Sequence, residues 1–371
     1  MTARIAHVTA TPVRVPLKSP LRTALGAAAV SEYGIVQIGS DDGLEGLGEV
    51  SLIWHGNGAR LCRDLTELVA PAIIGMPIMD RAAVMIRAAG QLQFGRHSLP
   101  VLAGLEMALF DLAGRTVKQP VVNLLGGPVR DKIELSMSLS IAPLTDLLAE
   151  ASRYVEAGFR TLKIKGDLDL DRVVDAVAAL RLEFGPKLTL RVDLNMAWRD
   201  RKQALAAIHR LEPFDIVSVE QPLPAEDLVG AAFLTEHSPI PIMLDESVWT
   251  VRDAQRVIAD HAADLVNIYV SEAGGLTQAC QIAQLCELNG LGVAVGSMPE
   301  LAIGTSAAAH LAFALPRLDH PSDVSGFLYH EGDVVLHQLK IADGCLLPPT
   351  SAPGLGVELD TDRLAYYRMD L

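Results

Sequence analysis

From about residue 133 onward, short apolar runs alternate with longer amphipathic stretches. Thr161–Lys165, Leu188–Val192, Ile216–Val219, Ile240–Leu244 and Leu265–Tyr269 are each strand-like, and each is followed by a segment of helical length. Asp171–Phe184 places Val173, Val174, Val177, Leu180 and Phe184 on one face, and Leu276–Leu288 has the same period. Glu134–Ile141 and Leu144–Ala157 open the series as a first strand and helix. Gly292–Gly296 and Asp323–Leu328 extend it to a seventh strand and a short eighth. Strands alternating with helices predict a parallel sheet, and eight of them predict a closed α/β barrel. No Gly-x-Gly-x-x-Gly follows any strand, which disfavours a dinucleotide fold.

The first 129 residues read differently. Ile5–Val15 and Glu32–Gly39 have strand character, Asp41-Asp42-Gly43 is a turn, and Leu44–Val50 is a second hairpin arm. Helices follow near Gly58–Ile74 and Leu99–Lys118, the second with an apolar stripe at Leu102, Leu105, Ala108, Leu109 and Leu112. Strands in one block and helices in the next predict an α+β domain. The expected division is an α+β unit over 1–129, a barrel over 130–330, and a tail over 331–371 that returns to the first unit. In the tail Val334–Ile341 reads as a strand and Pro348–Gly356 as a loop.

The ends of the five central runs fall at even steps. Lys165, Asp193, Glu220, Asp245 and Tyr269 are separated by 28, 27, 25 and 24 residues, the length of one strand–helix unit. In a barrel such positions converge on one mouth, where active sites form. Three carboxylates at neighbouring strand ends repel one another. A hard divalent cation relieves this, and all-oxygen ligands favour Mg²⁺ or Mn²⁺ over Zn²⁺, so Asp193, Glu220 and Asp245 are the candidate ligands. Lys163 and Lys165 flank Ile164 and point to one face of their strand, about 7 Å apart. Burial beside a second cation is the setting in which a lysine becomes a general base, so Lys165 is the candidate base and Lys163 its modulator. A lysine beside such a metal suits removal of the proton α to a carboxylate, with the metal stabilising the resulting enediolate.

Composition narrows the class further. The net charge of −14 over 371 residues argues against a nucleic-acid or anionic-membrane surface. The four cysteines show no CxxC spacing, the N-terminus has no signal layout, and no apolar run reaches 18 residues. A soluble, reduced, cytoplasmic enzyme is expected.

Together these residues resemble the enolase superfamily, in its muconate lactonizing enzyme/mandelate racemase-like branch. The resemblance spans the chain and rests on Leu162-Lys-Ile-Lys165, Arg191-Val-Asp-Leu-Asn195, Val219-Glu-Gln-Pro222, Leu244-Asp-Glu-Ser247 and Glu272-Ala-Gly-Gly275. Gly296-Ser-Met-Pro-Glu300, Pro353-Gly-Leu-Gly356 and Ala108-Leu-Phe-Asp-Leu-Ala-Gly114 are similar too. The resemblance implies a modified (β/α)₇β barrel under an N-terminal α+β capping domain, with Mg²⁺ on the three carboxylates and Lys165 as acid/base. It implies that Asn195 and Glu246 support the ligands, and that cap loops near Pro20–Ala28 and Ile53–Gly58 select a small carboxylate substrate. Trp54 and His55 are then candidate substrate contacts, as are Ser297 and Glu300, which also read as a capping box for the next helix. A homo-oligomer is implied as well.

One departure stands out. In this branch the sixth strand usually ends in a second lysine on the opposite face of the substrate, where this chain has Tyr269. Dipeptide epimerases of the superfamily also carry an Asp-x-Asp on the eighth strand, where this chain reads Asp323-Val-Ser325. The expectation is one-base syn chemistry, led by cycloisomerisation, with syn dehydration of a hydroxy or sugar acid as the alternative. A racemase or epimerase would need Tyr269 as second acid/base. A Schiff-base aldolase on Lys165, or a scaffold without activity, would have no use for three metal-type carboxylates.

Overall fold

The computed structural model describes residues 3–52, 58–93, 95–350 and 352–369. It begins with a three-stranded antiparallel sheet of β1 (Ile5–Thr23), β2 (Gly26–Ser40) and β3 (Glu45–Val50). β1 is an edge strand, so its prolines interrupt no ladder between two neighbours. Pro20–Ala28, expected as a loop, is instead the tip of a long β1–β2 hairpin, beyond a register shift between Pro16 and Leu21. Helices α1 (Gly58–Arg63) and α2 (Ala70–Ile73), joined by a π turn over Asp64–Val69, precede α3 (Arg81–Ala89) and α4 (Leu99–Val117). β3 packs directly on α4 because Gly46 and Gly48 lack side chains. A methyl group at either would collide with the carbonyl oxygen of Ala108 or of Gly104.

After α5 (Val121–Leu124) and the two-residue β4 (Ile133–Glu134), seven parallel strands follow in sequential order. They are β5 (Ser136–Leu139), β6 (Thr161–Lys165), β7 (Thr189–Asp193), β8 (Val219–Glu220), β9 (Ile242–Leu244), β10 (Leu265–Ile268) and β11 (Gly292–Val295). The connections are α6 (Leu144–Glu156), α7 (Leu170–Phe184), α8 (Arg201–Leu211), α9 (Leu228–His237), α10 (Val251–Ala259), and the pair α11 (Val270–Ala273) and α12 (Leu276–Leu288). Several helices start on a side chain that accepts the first free N–H groups: Asp169, Asp200 and Asp227 do so, and Thr250 forms a capping box with Asp253.

The barrel closes without the expected eighth strand. In place of a strand over Asp323–Leu328, a few hydrogen bonds and an isolated bridge at Ser322 seam β11 to the opposite edge. Asp323 N–H donates to Val295 O (2.9 Å), and Ser322 N–H to Glu134 O (3.0 Å). Pro321 has no N–H to give, and Gly326–Tyr329 turns at once into a 3₁₀ helix, so no ladder develops.

Beyond α13 (Ala302–Ala314), the expected strand over Val334–Ile341 is likewise absent; Val335 makes one bridge to Leu359. Strand structure resumes only at β12 (Ile341–Ala342) and β13 (Cys345–Leu346), a hairpin that adds to β4. The tail then lies on the first sheet and α4, ending with α14 (Thr361–Tyr367). Leu355 N–H donates to Asp111 Oδ1 (2.7 Å), and Met369 N–H to Pro12 O (2.9 Å). Asp111 also accepts from Leu47 N–H (2.8 Å) and Arg115 Nε (2.9 Å), so one buried carboxylate ties α4 to β3 and to the tail. Gly354, at φ +71°, leaves room for that carboxylate. Among the described residues no helix is long and apolar enough to cross a membrane.

Candidate active site

Strand register brings the five evenly spaced residues together. Lys165 lies opposite Asp193, and Asp193 opposite Glu220, in direct parallel pairs. Glu220 pairs with Met243, which places Asp245 one step further up the same mouth. β6 and β10 stand four strands apart, so Lys165 and Tyr269 come from opposite sides of the barrel. Between them lies a cavity of about 360 Å³, lined by Lys163, Lys165, Asn195, Asp245, Glu246, Trp249, Tyr269, Glu272 and Ser297 from the barrel. Leu21, Leu25 and Leu52 from the first sheet, with Met298 and Tyr329, form its apolar cover. The size suits a small molecule. Trp54 and His55 lie outside the described residues.

On the β6–β7 side every charge has a partner. Lys165 Nζ donates to Asp193 and to Asn195 Oδ1 (3.2 Å). Lys163 Nζ donates to Asp323 Oδ2 (2.6 Å) and lies 3.5 Å from Glu220 and 3.7 Å from Asp193. Burial alone favours the neutral amine of Lys163, but Asp323, Glu220 and Asp193 outweigh it and hold the lysine charged. Lys163 is therefore more than a cation beside Lys165: it is the centre of a buried ion cluster, which sequence spacing did not show. Arg191, fully buried beside it on β7, donates to Glu220 Oε2 (2.7 Å) and is likewise held charged by Asp323, Glu220 and Asp193 against the cost of burial. Glu220 is held well below the usual carboxylate range: burial opposes this, but Lys163 and Arg191 prevail.

The β9–β10 side is built otherwise. Tyr269 Oη donates to Asp245 Oδ2 (2.8 Å), while Asp245 Oδ1 is buried without a partner. Burial first, then Asp245, pushes the phenol well above its ordinary value. Gly296 makes space for the ring, since any side chain there would strike it. Burial, reinforced by Glu246 and Glu272, raises the Asp245 carboxyl strongly. Glu246 Oε1 accepts from Asn195 Nδ2 (3.0 Å), but Oε2 has no partner; burial, then Asp193, pushes this carboxyl up to about 7. Glu272 Oε2 is also unpartnered, and burial, then Glu246, raises its carboxyl.

Loop geometry holds these groups in place. Gln221 and Asn195 adopt positive φ (35° and 41°), uncommon for residues with side chains and frequent at functional sites. Gln221 Oε1 accepts from Asp245 N–H (3.0 Å) and Ser247 N–H (3.2 Å), so the residue after one candidate ligand fixes the position of another.

The expected capping box at Ser297–Glu300 is not what starts α13. Ser297 Oγ donates to Glu300, but the helix begins at Ala302, and its first N–H groups go elsewhere. Leu301 and Gly304 N–H donate to Glu49 (2.9 and 2.8 Å), and Ala302 N–H donates to Asp333 (2.9 Å). Ser297 faces the cavity, whereas Glu300 is buried behind it. Arg96, Trp249 and Glu272 were not singled out as site residues, although all three line the cavity. Glu272 falls within the Glu272-Ala-Gly-Gly275 motif, and Arg96 enters from the segment just before α4, distant in sequence from the strand ends.

The carboxylates suit a hard cation in chemistry, if not yet in arrangement. Among the described residues no three ligand-type side chains are gathered around one point. The lysines engage Asp193 and Glu220, and Tyr269 engages one oxygen of Asp245. The bare Asp245 Oδ1, crowded by Glu246, Glu272, Glu220 and Asp193, is a buried oxygen that lacks a positive partner.

Comparison with known proteins supplies the remaining context. Residues 5–126 match the family described as mandelate racemase/muconate lactonizing enzyme, N-terminal domain, and residues 146–363 match enolase C-terminal domain-like. The L-Ala-D/L-Glu epimerase of Bacillus subtilis is 32% identical over 95% of this chain and 96% of its own. Muconate cycloisomerase 1 of Pseudomonas putida is 30% identical over 95% and 94%. The crystal structure of muconate lactonizing enzyme from Pseudomonas fluorescens complexed with muconolactone superposes with a TM-score of 0.95 at 30% identity, covering 100% of both chains.

Proposed function

We propose a one-base proton transfer at the α-carbon of a small carboxylate for this chain, which belongs to the mandelate racemase/muconate lactonizing enzyme family of the enolase superfamily. The observation that carries the reading is the hydrogen bond from Tyr269 to Asp245. Across the cavity from Lys165 there is a phenol whose proton is already committed to a carboxylate. Ionising it would set a phenolate against that carboxylate in a dry site.

Lys165 takes the proton and returns it on one face of the substrate. Asn195 fixes the reach of its amine, and Lys163, held charged by Asp323, contributes a fixed positive field where negative charge develops. Asp193, Glu220 and Asp245 would hold Mg²⁺ or Mn²⁺, which supplies positive charge opposite the substrate carboxylate. Leu21, Leu25, Leu52 and Met298 keep bulk water from the reacting carbon. A base that works on one face suits syn cycloisomerisation, the type of reaction named for the muconate cycloisomerase relative.

The epimerase relatives favour a second reading, in which Tyr269 delivers a proton to the opposite face. The two share their first test. In D₂O with Mg²⁺, a panel of small carboxylic acids that spans diene diacids, hydroxy acids and zwitterionic acids should include a compound that exchanges or transfers its α-proton. That activity should vanish in Lys165→Ala. Activity that survives in Lys165→Ala removes the lysine from its role.

A further inference from the structure

The cavity has an unbalanced wall. Glu246 and Glu272 both line it; Glu272 is more than nine-tenths buried and Glu246 partly so, and each presents one buried carboxylate oxygen with no hydrogen-bond partner. Arg96, whose charge acts on Glu272, is engaged elsewhere. Arg96 donates to the backbone oxygen of Glu246 (2.7 Å), approaches Asp253 at 3.6 Å and lies over the Trp249 ring at 5.1 Å. Among the described residues no ion pair within 4.0 Å joins any cation to the Glu246 or Glu272 carboxylate. A buried carboxylate oxygen without a donor is costly and therefore uncommon, and two on one cavity wall point to a ligand that brings the donor or the charge. The wall adjoins the proposed metal position at Asp245, which Glu246 and Glu272 crowd, while Asp193 and Glu220 stand at the ends of the neighbouring strands, so Mg²⁺ stoichiometry separates the two sites.

We propose that Glu246 and Glu272 receive a positively charged group at the far end of the substrate, so that the substrate is a cationic or zwitterionic acid. The inference rests on the reading of Lys165 and the three strand-end carboxylates as the place where the substrate carboxylate binds. It adds that the other end is an ammonium, a quaternary ammonium or a guanidinium. The Trp249 ring, which already accepts the Arg96 guanidinium on its face, supplies an aromatic surface at the same end. A diacid would place its second carboxylate against two carboxylates with no donor between them, so the wall refuses that class.

Three acids of similar length serve as probes in calorimetric titrations of the Mg²⁺-loaded protein: 5-(trimethylammonio)pentanoate, hexanoate and hexanedioate. The cationic acid should bind at least about tenfold tighter than hexanoate, and hexanedioate should be the weakest, a tenfold step being about 1.4 kcal/mol. Glu272→Gln should lower the preference for the cationic acid over hexanoate about tenfold, and Glu272→Lys should shift the preference to hexanedioate. Glu183→Gln, which removes an exposed charge on α7, should leave the ratios unchanged. Thermal midpoints show that each variant is folded, and retained hexanoate binding shows that the carboxylate end is intact. Equal affinity for all three acids, or a Mg²⁺ stoichiometry of two with the second ion lost in Glu272→Gln, overturns the cationic subsite and leaves the reading of the carboxylate end standing. If no acid binds in a Mg²⁺-dependent way, both fall.

Discussion

The two sides of the cavity solve the problem of buried charge in opposite ways. On the β6–β7 side, Lys163, Lys165 and Arg191 interleave with Asp193, Glu220 and Asp323, and each cation has a carboxylate partner. On the β9–β10 side, Asp245, Glu246 and Glu272 crowd together with bare oxygens, and the residue facing Lys165 is a neutral phenol. The first side pairs its charges internally, although Asp323 Oδ1 and Arg191 Nε lack a hydrogen-bond partner, whereas among the described residues no cation lies within 4.0 Å of the three carboxylates on the second. In the proposed reading, proton transfer belongs to the first side and ligand binding to the second. That asymmetry carries the one-base reading.

The comparison breaks most readily at its catalytic end. Lys165→Ala should cost about 10²–10⁴ in turnover, the range for loss of a positioned general base, with far-ultraviolet circular dichroism unchanged. Next in size is the ion cluster. Lys163→Met leaves Asp323, Glu220 and Asp193 without their shared cation and should destabilise the fold by about 3–5 kcal/mol in urea unfolding. Glu272→Gln on the other side should cost little or even stabilise, since that carboxyl has no partner to lose. Equal losses from the two substitutions would erase the contrast.

Metal binding comes third. Mg²⁺ at a hundredfold excess over its dissociation constant should raise stability by about 2.7 kcal/mol, and Asp245→Asn should abolish most of that gain, as read by thermal shift. The smallest effect is a pH slope in the metal-free protein. Burial and Glu246 raise the Glu272 carboxyl above its unfolded value, so the folded state binds more protons. Its contribution to stability is fully present below about pH 4.5 and declines as pH rises toward the folded value. Glu272→Gln should flatten that decline, and an unchanged slope would assign the effect elsewhere.

Much of this site was legible in the sequence because it is periodic. The Lys165–Tyr269 ladder follows from one strand end per repeat, and register then fixes Lys165 opposite Asp193 and Asp193 opposite Glu220. The seam that closes the barrel was misread as a strand because apolar residues such as Val324 and Phe327 are buried there without any ladder. The cap of α13 was misread for a related reason. Ser297 and Glu300 have the local spacing, but Glu49 reaches the helix from the first sheet, some 250 residues earlier. Arg96 and the pairing of Lys163 with Asp323 likewise arise from contacts between distant segments, which no local pattern encodes. Tyr269 was legible as an irregularity, but its hydrogen bond to Asp245 became visible only with both strands in place.

The central claim is that protons move on one face only. The most direct measurement is the configuration of the carbon that exchanges, using an enantiopure substrate in D₂O with wild-type protein and with Tyr269→Phe. Deuterium should enter at the α-carbon with retained configuration in both, at rates within about tenfold of each other. Deuterium in both enantiomers, with loss of the inverted product in Tyr269→Phe, would make the phenol a second catalytic acid and contradict the one-base account.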